Sequence, residues 1–185
     1  MKEKITLRKA ILAGVATIGL ILFFVSFGAT GSLKGIVEDV PVSVIASHIV
    51  WGCDTMVVIG EGFVTVPEAL RTASVPGIIG AILFILVSGG LIATVFLVKD
   101  EKVKKIITFI CGGLFLVAAI LMFFVGEAVW EQFAKAFGTD AATAKAAYPG
   151  LKASSAYGIV AGIFGILMSG GTIASNFIPD KKLVK

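Results

Sequence analysis

The sequence predicts an all-α integral membrane protein: a bundle of four transmembrane helices built as two parallel-repeat helical hairpins, with an apolar outer loop between helices 1 and 2. Three observations lead there. Hydrophobic residues make up 57% of the 185-residue chain and charged residues only 15%, with a mean hydropathy of +1.02, more apolar surface than a water-soluble domain can hide. Four runs, residues 10–30, 75–98, 106–125 and 155–178, are free of charged side chains and apolar on every side, and each is near the roughly 20 residues that cross a hydrocarbon core. Finally, the second and fourth runs repeat one another.

Each run reads as a helix, because in hydrocarbon the backbone must satisfy its own hydrogen bonds; barrel strands would alternate in short segments instead. The chain is expected to form a single membrane domain over residues 1–185. Its outer segments are 31–74 and 126–154, and its cytoplasmic loop is 99–105. Orientation follows from the basic residues beside the spans. Lys2, Lys4, Arg8 and Lys9 precede the first, Lys99, Lys102, Lys104 and Lys105 fill the short turn, and Lys181, Lys182 and Lys185 follow the fourth. These are 11 of the 16 basic residues, whereas eight of the 12 acids fall on the other side. Both termini are therefore expected in the cytoplasm, in a plasma membrane of prokaryotic type. The net charge of +4 comes from this flanking lysine excess and gives no reason to invoke nucleic acid. The basic start and Ser26-Phe27-Gly28 superficially fit a cleaved signal peptide, but the apolar stretch is long for one and the first span is expected to be retained.

Gly77 to Phe96 aligns without a gap with Gly158 to Phe177, at an offset of 81 residues, with eleven identities that include Ser-Gly-Gly-x-Ile-Ala-x-x-Phe. Spans one and three share less: a lysine-led start and Phe-Phe-Val near the end. Both hairpins start from the same side, so the repeat is parallel, with a pseudo-twofold axis along the membrane normal, which disfavours an inverted-repeat transporter. Small residues let lipid-embedded helices approach closely. Ser88, Gly89, Gly90 and Ala93 in span two, with Ser169, Gly170, Gly171 and Ala174 in span four, are accordingly the predicted helix-packing residues, and these two spans are expected to touch near the axis.

The outer segment 31–74 is too apolar for a linker. Its middle, residues 40–64, could form a re-entrant or interfacial helix, a β-hairpin turning at Gly52 to Asp54, or a partner-binding element. A fifth span would place His48, Asp54 and Glu61 in lipid and reverse the lysine pattern. In a helix, Asp54 and Glu61 would share a face, with His48 pointing away. One histidine in the whole chain, and no cysteine pair at ligand spacing, give no basis for a metal or haem site. No cofactor is expected.

Thr65, Pro67 and Glu68 read as a capping box, and Ser74 and Pro76 as the start of span two. Beyond span three, Val129, Trp130, Phe133 and Phe137 recur at helical spacing opposite Glu127, Glu131 and Lys135. Trp130 is expected in the headgroup-level aromatic belt. Asp140 should cap a short alanine-rich helix that Pro149 and Gly150 end, before Ser154 opens span four. Cys53 and Cys111 lie on unlike sides and should not meet. Four spans with a long first outer loop resemble claudins in topology, although the paired loop cysteines of that family are absent and Trp51-Gly52-Cys53 does not reproduce its signature.

Nothing resembles a catalytic constellation: there is no Ser, His and Asp grouping, phosphate loop or histidine pair. The expected function is therefore non-catalytic, a tetraspan subunit that self-assembles or joins other membrane subunits through its outer loop and small-residue helix faces. The alternative is a small oligomeric channel lined by Ser88, Thr94, Ser169, Thr172, Ser175 and Asn176. His48, Asp54, Glu61 and Glu127 are the candidate ligand or pore residues.

Overall fold

The computed structural model describes residues 6–52, 54–59, 62–65 and 72–179, with side chains everywhere except 54–59 and 62–65. Four helices are long and apolar enough to cross a membrane: α1 (Leu7–Val25), α2 (Val75–Leu97), α3 (Glu101–Phe123) and α6 (Ala156–Ala174). Their bounds fall within a few residues of the apolar runs, and α1 and α3 reach back one turn to take in flanking basic residues. The protein is a multi-pass membrane protein by this measure. The class is not all-α, however, because the segments between the spans carry a five-stranded sheet.

The chain divides into two compact units. The first comprises Met1–Phe24, Gly80–Ile120 and Ala161–Lys185, which hold most of the four spans. Its interior is close-packed through glycine. A Cβ added at Gly165 would stand 2.7 Å from the Ala119 Cβ and 3.3 Å from the Phe84 ring, and one at Gly112 would stand 2.6 Å from Ile173. Gly19 likewise receives Ser88. Phe84 and Phe115 fill the centre, with ring centroids 6.2 Å apart. Leu86, Leu97, Ile110, Leu167 and Phe177 are exposed around this unit; water would penalise such a girdle, and acyl chains would not.

The second unit, Val25–Ile79 and Leu121–Val160, holds the sheet and two further helices. Strands β1 (Gly31–Val37), β2 (Val40–Ser47), β3 (Asp54–Ile59), β4 (Gly62–Thr65) and β5 (Lys152–Ser154) pair antiparallel in the order β4-β3-β2-β1-β5. The β-hairpin form of residues 40–64 is the one realised. The supposed helical face shared by Asp54 and Glu61 does not exist, because Asp54 opens β3 opposite Ser47. The physical reason is period-two alternation: Leu33, Val42, Val44 and Ala46 are buried while Lys34 and Ile45 are exposed, and such a pattern presents one apolar face only when extended.

That buried face covers α4 (Glu127–Ala136), whose Val129 would be struck, together with Ile49, by any Cβ at Gly31. The second outer segment reaches the first at Gly35, where a side chain would collide with the Gly150 backbone; β5 then pairs with Ser32, Leu33 and Lys34. Gln132, fully buried on α4, accepts the Thr72 N–H at 2.7 Å and its hydroxyl at 2.6 Å, fixing the approach to α2. Ser74 accepts from Gly77 N–H and Ser155 from Gly158 N–H. The second span-opening cap is thus Ser155, because Ser154 is committed to β5. The Thr65 to Glu68 capping box falls on positions 66–71, outside the described residues apart from Thr65, which ends β4.

Candidate functional site

The second unit carries an apolar groove of about 240 Å³ between the β1–β2 hairpin and the end of α4. Its floor is aromatic and locally encoded. Helix α4 ends where Gly138 adopts φ +68° and Thr139 N–H donates to Ala134 O at 2.9 Å, with Gly138 N–H on Lys135 O at 3.1 Å, the pair of bonds that closes a helix through a left-handed glycine. Asp140 then caps α5 (Ala141–Ala147) by accepting the Thr143 N–H at 2.9 Å. This reversal delivers Tyr148 edge-on to Phe133, with centroids 5.6 Å apart, while Phe137 lies 4.8 Å from Phe133. Val37, Val40, Val42 and Leu151 complete the lining.

The mouth of the groove is acidic. Glu38 and Asp39 form the two-residue turn between β1 and β2 with φ +48° and +64°, a mirror-image turn that ordinarily takes Asn-Gly. Glu38 lines the groove, and both acids are exposed. Val40 and Phe137 stay 41% and 52% exposed beside them, so apolar surface and negative charge face solvent together.

Among the described residues, the sequence-predicted candidates His48, Asp54 and Glu127 lie on different elements. His48 sits at the end of β2 with φ +54°, and its carbonyl accepts Trp51 N–H at 3.0 Å and Gly52 N–H at 2.8 Å; it is a turn residue at the base of the β2–β3 hairpin. Asp54 lies across that connection in β3, and Glu61 lies outside the described residues. Glu127 forms an ion pair with Lys145 and lines, with Glu131 and Ser74, a separate cavity of about 250 Å³. Both members of that pair are about half exposed, so it contributes little to stability. Trp130 is not in an aromatic belt: only 5% exposed, it packs edge-on against Phe133 with Lys145 above its ring. Elsewhere in this unit Phe27 and Trp51 stack at 5.0 Å, with the Trp51 indole N–H donating to Ser26 Oγ at 2.7 Å.

Of the eight small residues expected to pack, Ser88 and Ser169 are buried and Gly90 and Gly171 half-buried. Gly89, Ala93, Gly170 and Ala174 face outward, with open space at both glycines. The six polar residues offered as a pore lining, Ser88, Thr94, Ser169, Thr172, Ser175 and Asn176, are all buried inside the first unit, facing no outer surface that neighbouring copies could share. Among the described residues, no three His, Cys, Asp or Glu side chains gather as a metal site would require.

One cluster escaped the sequence reading. Arg8, 5% exposed, donates to Glu101 Oε2 at 2.8 Å and to Asn176 Oδ1 at 2.9 Å, and Lys104 donates to Glu101 Oε1 at 2.6 Å. A signal existed: at the 81-residue offset, Asn176 stands where the second span has Val95.

A multi-pass membrane protein with four candidate spans and a small antiparallel sheet is the class these features define. No protein-family model and no curated protein matches the sequence.

Proposed function

We propose that this protein is a non-catalytic tetraspan subunit of a prokaryotic plasma membrane, with its lysine-rich end in the cytoplasm, that assembles with copies of itself or with other membrane subunits. The carrying observation is the apolar groove beside the Glu38-Asp39 turn, where Val40 and Phe137 remain exposed. An exposed apolar concavity rimmed by charge is the anatomy of a contact surface. The outward Gly89/Ala93 and Gly170/Ala174 pairs support the same reading, since small residues spaced by four on a lipid-facing helix favour close helix contact.

A duplicated hairpin accounts for the matching surfaces. Ser74 with Gly77 and Ser155 with Gly158 make the same cap 81 residues apart, and Gly165 meets Phe84, its counterpart in α2.

The test is photocrosslinking in the native membrane with benzoylphenylalanine in place of Phe137, compared with the same group at Lys34 on the exposed face of β1. Adducts at the mass of two chains, or of this chain and a partner, from position 137 and not from 34 are expected. Equal labelling from both positions, or none from either, contradicts the reading.

A further inference from the structure

The groove of the second unit carries a charge signature as well as an apolar one. Glu38 is the one charged side chain among its lining residues. With Asp39 it occupies a turn at φ +48° and +64°, a conformation that Asn-Gly adopts without strain and two acids do not. Among the described residues, neither carboxylate accepts a hydrogen bond or forms an ion pair. Glu101, Glu127 and Asp140, by contrast, are answered inside the chain by Lys104, Lys145 and Thr143. Exposed acids at a turn need no partner but water. What sets these two apart is a strained backbone that fixes them at the rim of an aromatic cavity.

The interior suits a cation too. Phe133, Phe137 and Tyr148 line it, and the Phe137 and Tyr148 rings are inclined to that of Phe133 by 52° and 86°, so their π-faces point in more than one direction. A cation is attracted to such a face within about 6 Å of the ring centroid. The same unit already uses this contact, with Lys145 Nζ standing 6.0 Å from the Trp130 centroid. Val37, Val40 and Val42 supply the aliphatic wall. The matching occupant has an apolar stem and a positive tip, which is the make-up of a lysine or arginine side chain.

We infer that the group this groove takes is a basic side chain, lysine or arginine, presented by the partner chain. Its stem lies along the valines, its cation meets the aromatic rings, and Glu38 and Asp39 neutralise it at the mouth. The inference rests on the reading of the groove as the assembly contact, and it adds the chemistry of the partner: a basic surface segment rather than a purely apolar one.

The test uses the full chain in its native membrane with benzoylphenylalanine at position 137, the adduct sequenced by mass spectrometry and its yield compared between variants. The captured residue should belong to another chain and lie beside a Lys or Arg. Glu38→Gln with Asp39→Asn, which keeps the side-chain sizes and suits the turn, should lower the yield by about fivefold, the scale of one partly solvated ion pair, and remove its dependence on added salt. Glu38→Lys should lower it further. Glu131→Gln, an exposed acid on the separate cavity, should match the parent. Thermal unfolding identifies any variant that misfolds, and the Gln/Asn pair suffices if Glu38→Lys does. Interchain adducts whose yield ignores the loss of both acids, or that form away from any basic residue, overturn this inference and leave the assembly reading standing. Capture confined to the same chain or to lipid, or no adduct at all, overturns both.

Discussion

At Gly158, a Cβ would stand 2.6 Å from the Met122 carbonyl oxygen; at Gly89, a Cβ would meet nothing within 4 Å. The two glycines look alike in the sequence, each within an apolar run. Backbone cannot retreat as a flexible side chain can, so Gly158→Ala should destabilise the protein by about 1–3 kcal/mol. Gly89→Ala should change stability by no more than about 1 kcal/mol, with helix propensity on its side. Denaturant unfolding in detergent followed by circular dichroism separates them; equal effects would mean that the glycine contacts are not what closes α6 on the end of α3. Small residues were legible as packing residues, but which of them face inward was not, because with apolar residues on every side the spans carry no polar face to fix their rotation.

Two elements of the second unit make sharper predictions. The Asp140 carboxyl is held below the usual carboxylate range, chiefly by the Thr143 backbone N–H and then by its hydroxyl. A cap of this kind contributes fully above the ordinary carboxylate pKa and is lost as pH falls through the lowered folded value. Amide protection of α5, corrected for intrinsic exchange, should therefore fall in acid, and Asp140→Asn, which caps at every pH, should flatten the dependence. The β1–β2 turn holds Glu38 and Asp39 at positive φ, at a cost of order 1 kcal/mol each. Glu38→Asn with Asp39→Gly should raise stability by about 1 kcal/mol while weakening assembly, a combination that unfolding and crosslinking yields report independently. Loss of stability would show that the acids are held there by contacts rather than under strain.

The same elements show why the sheet was only half visible. Residues 31–47 alternate as a half-buried strand pair should, yet their turn has neither Gly nor Asn to announce it. Strand β5 is three residues long and pairs across more than a hundred residues of chain, so only the Gly35 and Gly150 approach makes room for it. By contrast, α4, its glycine stop and the Asp140 cap are written in adjacent residues, and the aromatic floor of the groove was readable there. Its other wall, the β1–β2 hairpin, is a tertiary product. The Arg8 cluster joins residues from α1, α3 and the end of the fourth span, a convergence that no local pattern records.

For the molecule as a whole, four spans follow from length and apolarity alone, and the lysine asymmetry supports the proposed orientation. In a chain with Cys53→Ser and Cys111→Ser, a maleimide reagent that does not cross membranes should then label a cysteine placed at Phe137 in intact cells and leave one placed at Lys102 unlabelled; the reverse would invert the topology. Assembly is the central claim, and mass answers it most directly. In native mass spectrometry of the protein extracted gently from its own membrane, the wild type should carry at least one further protein chain, and Phe137→Asp should run as a single chain of 19.2 kDa. A wild type that is monodisperse, monomeric and free of any second chain would contradict the account.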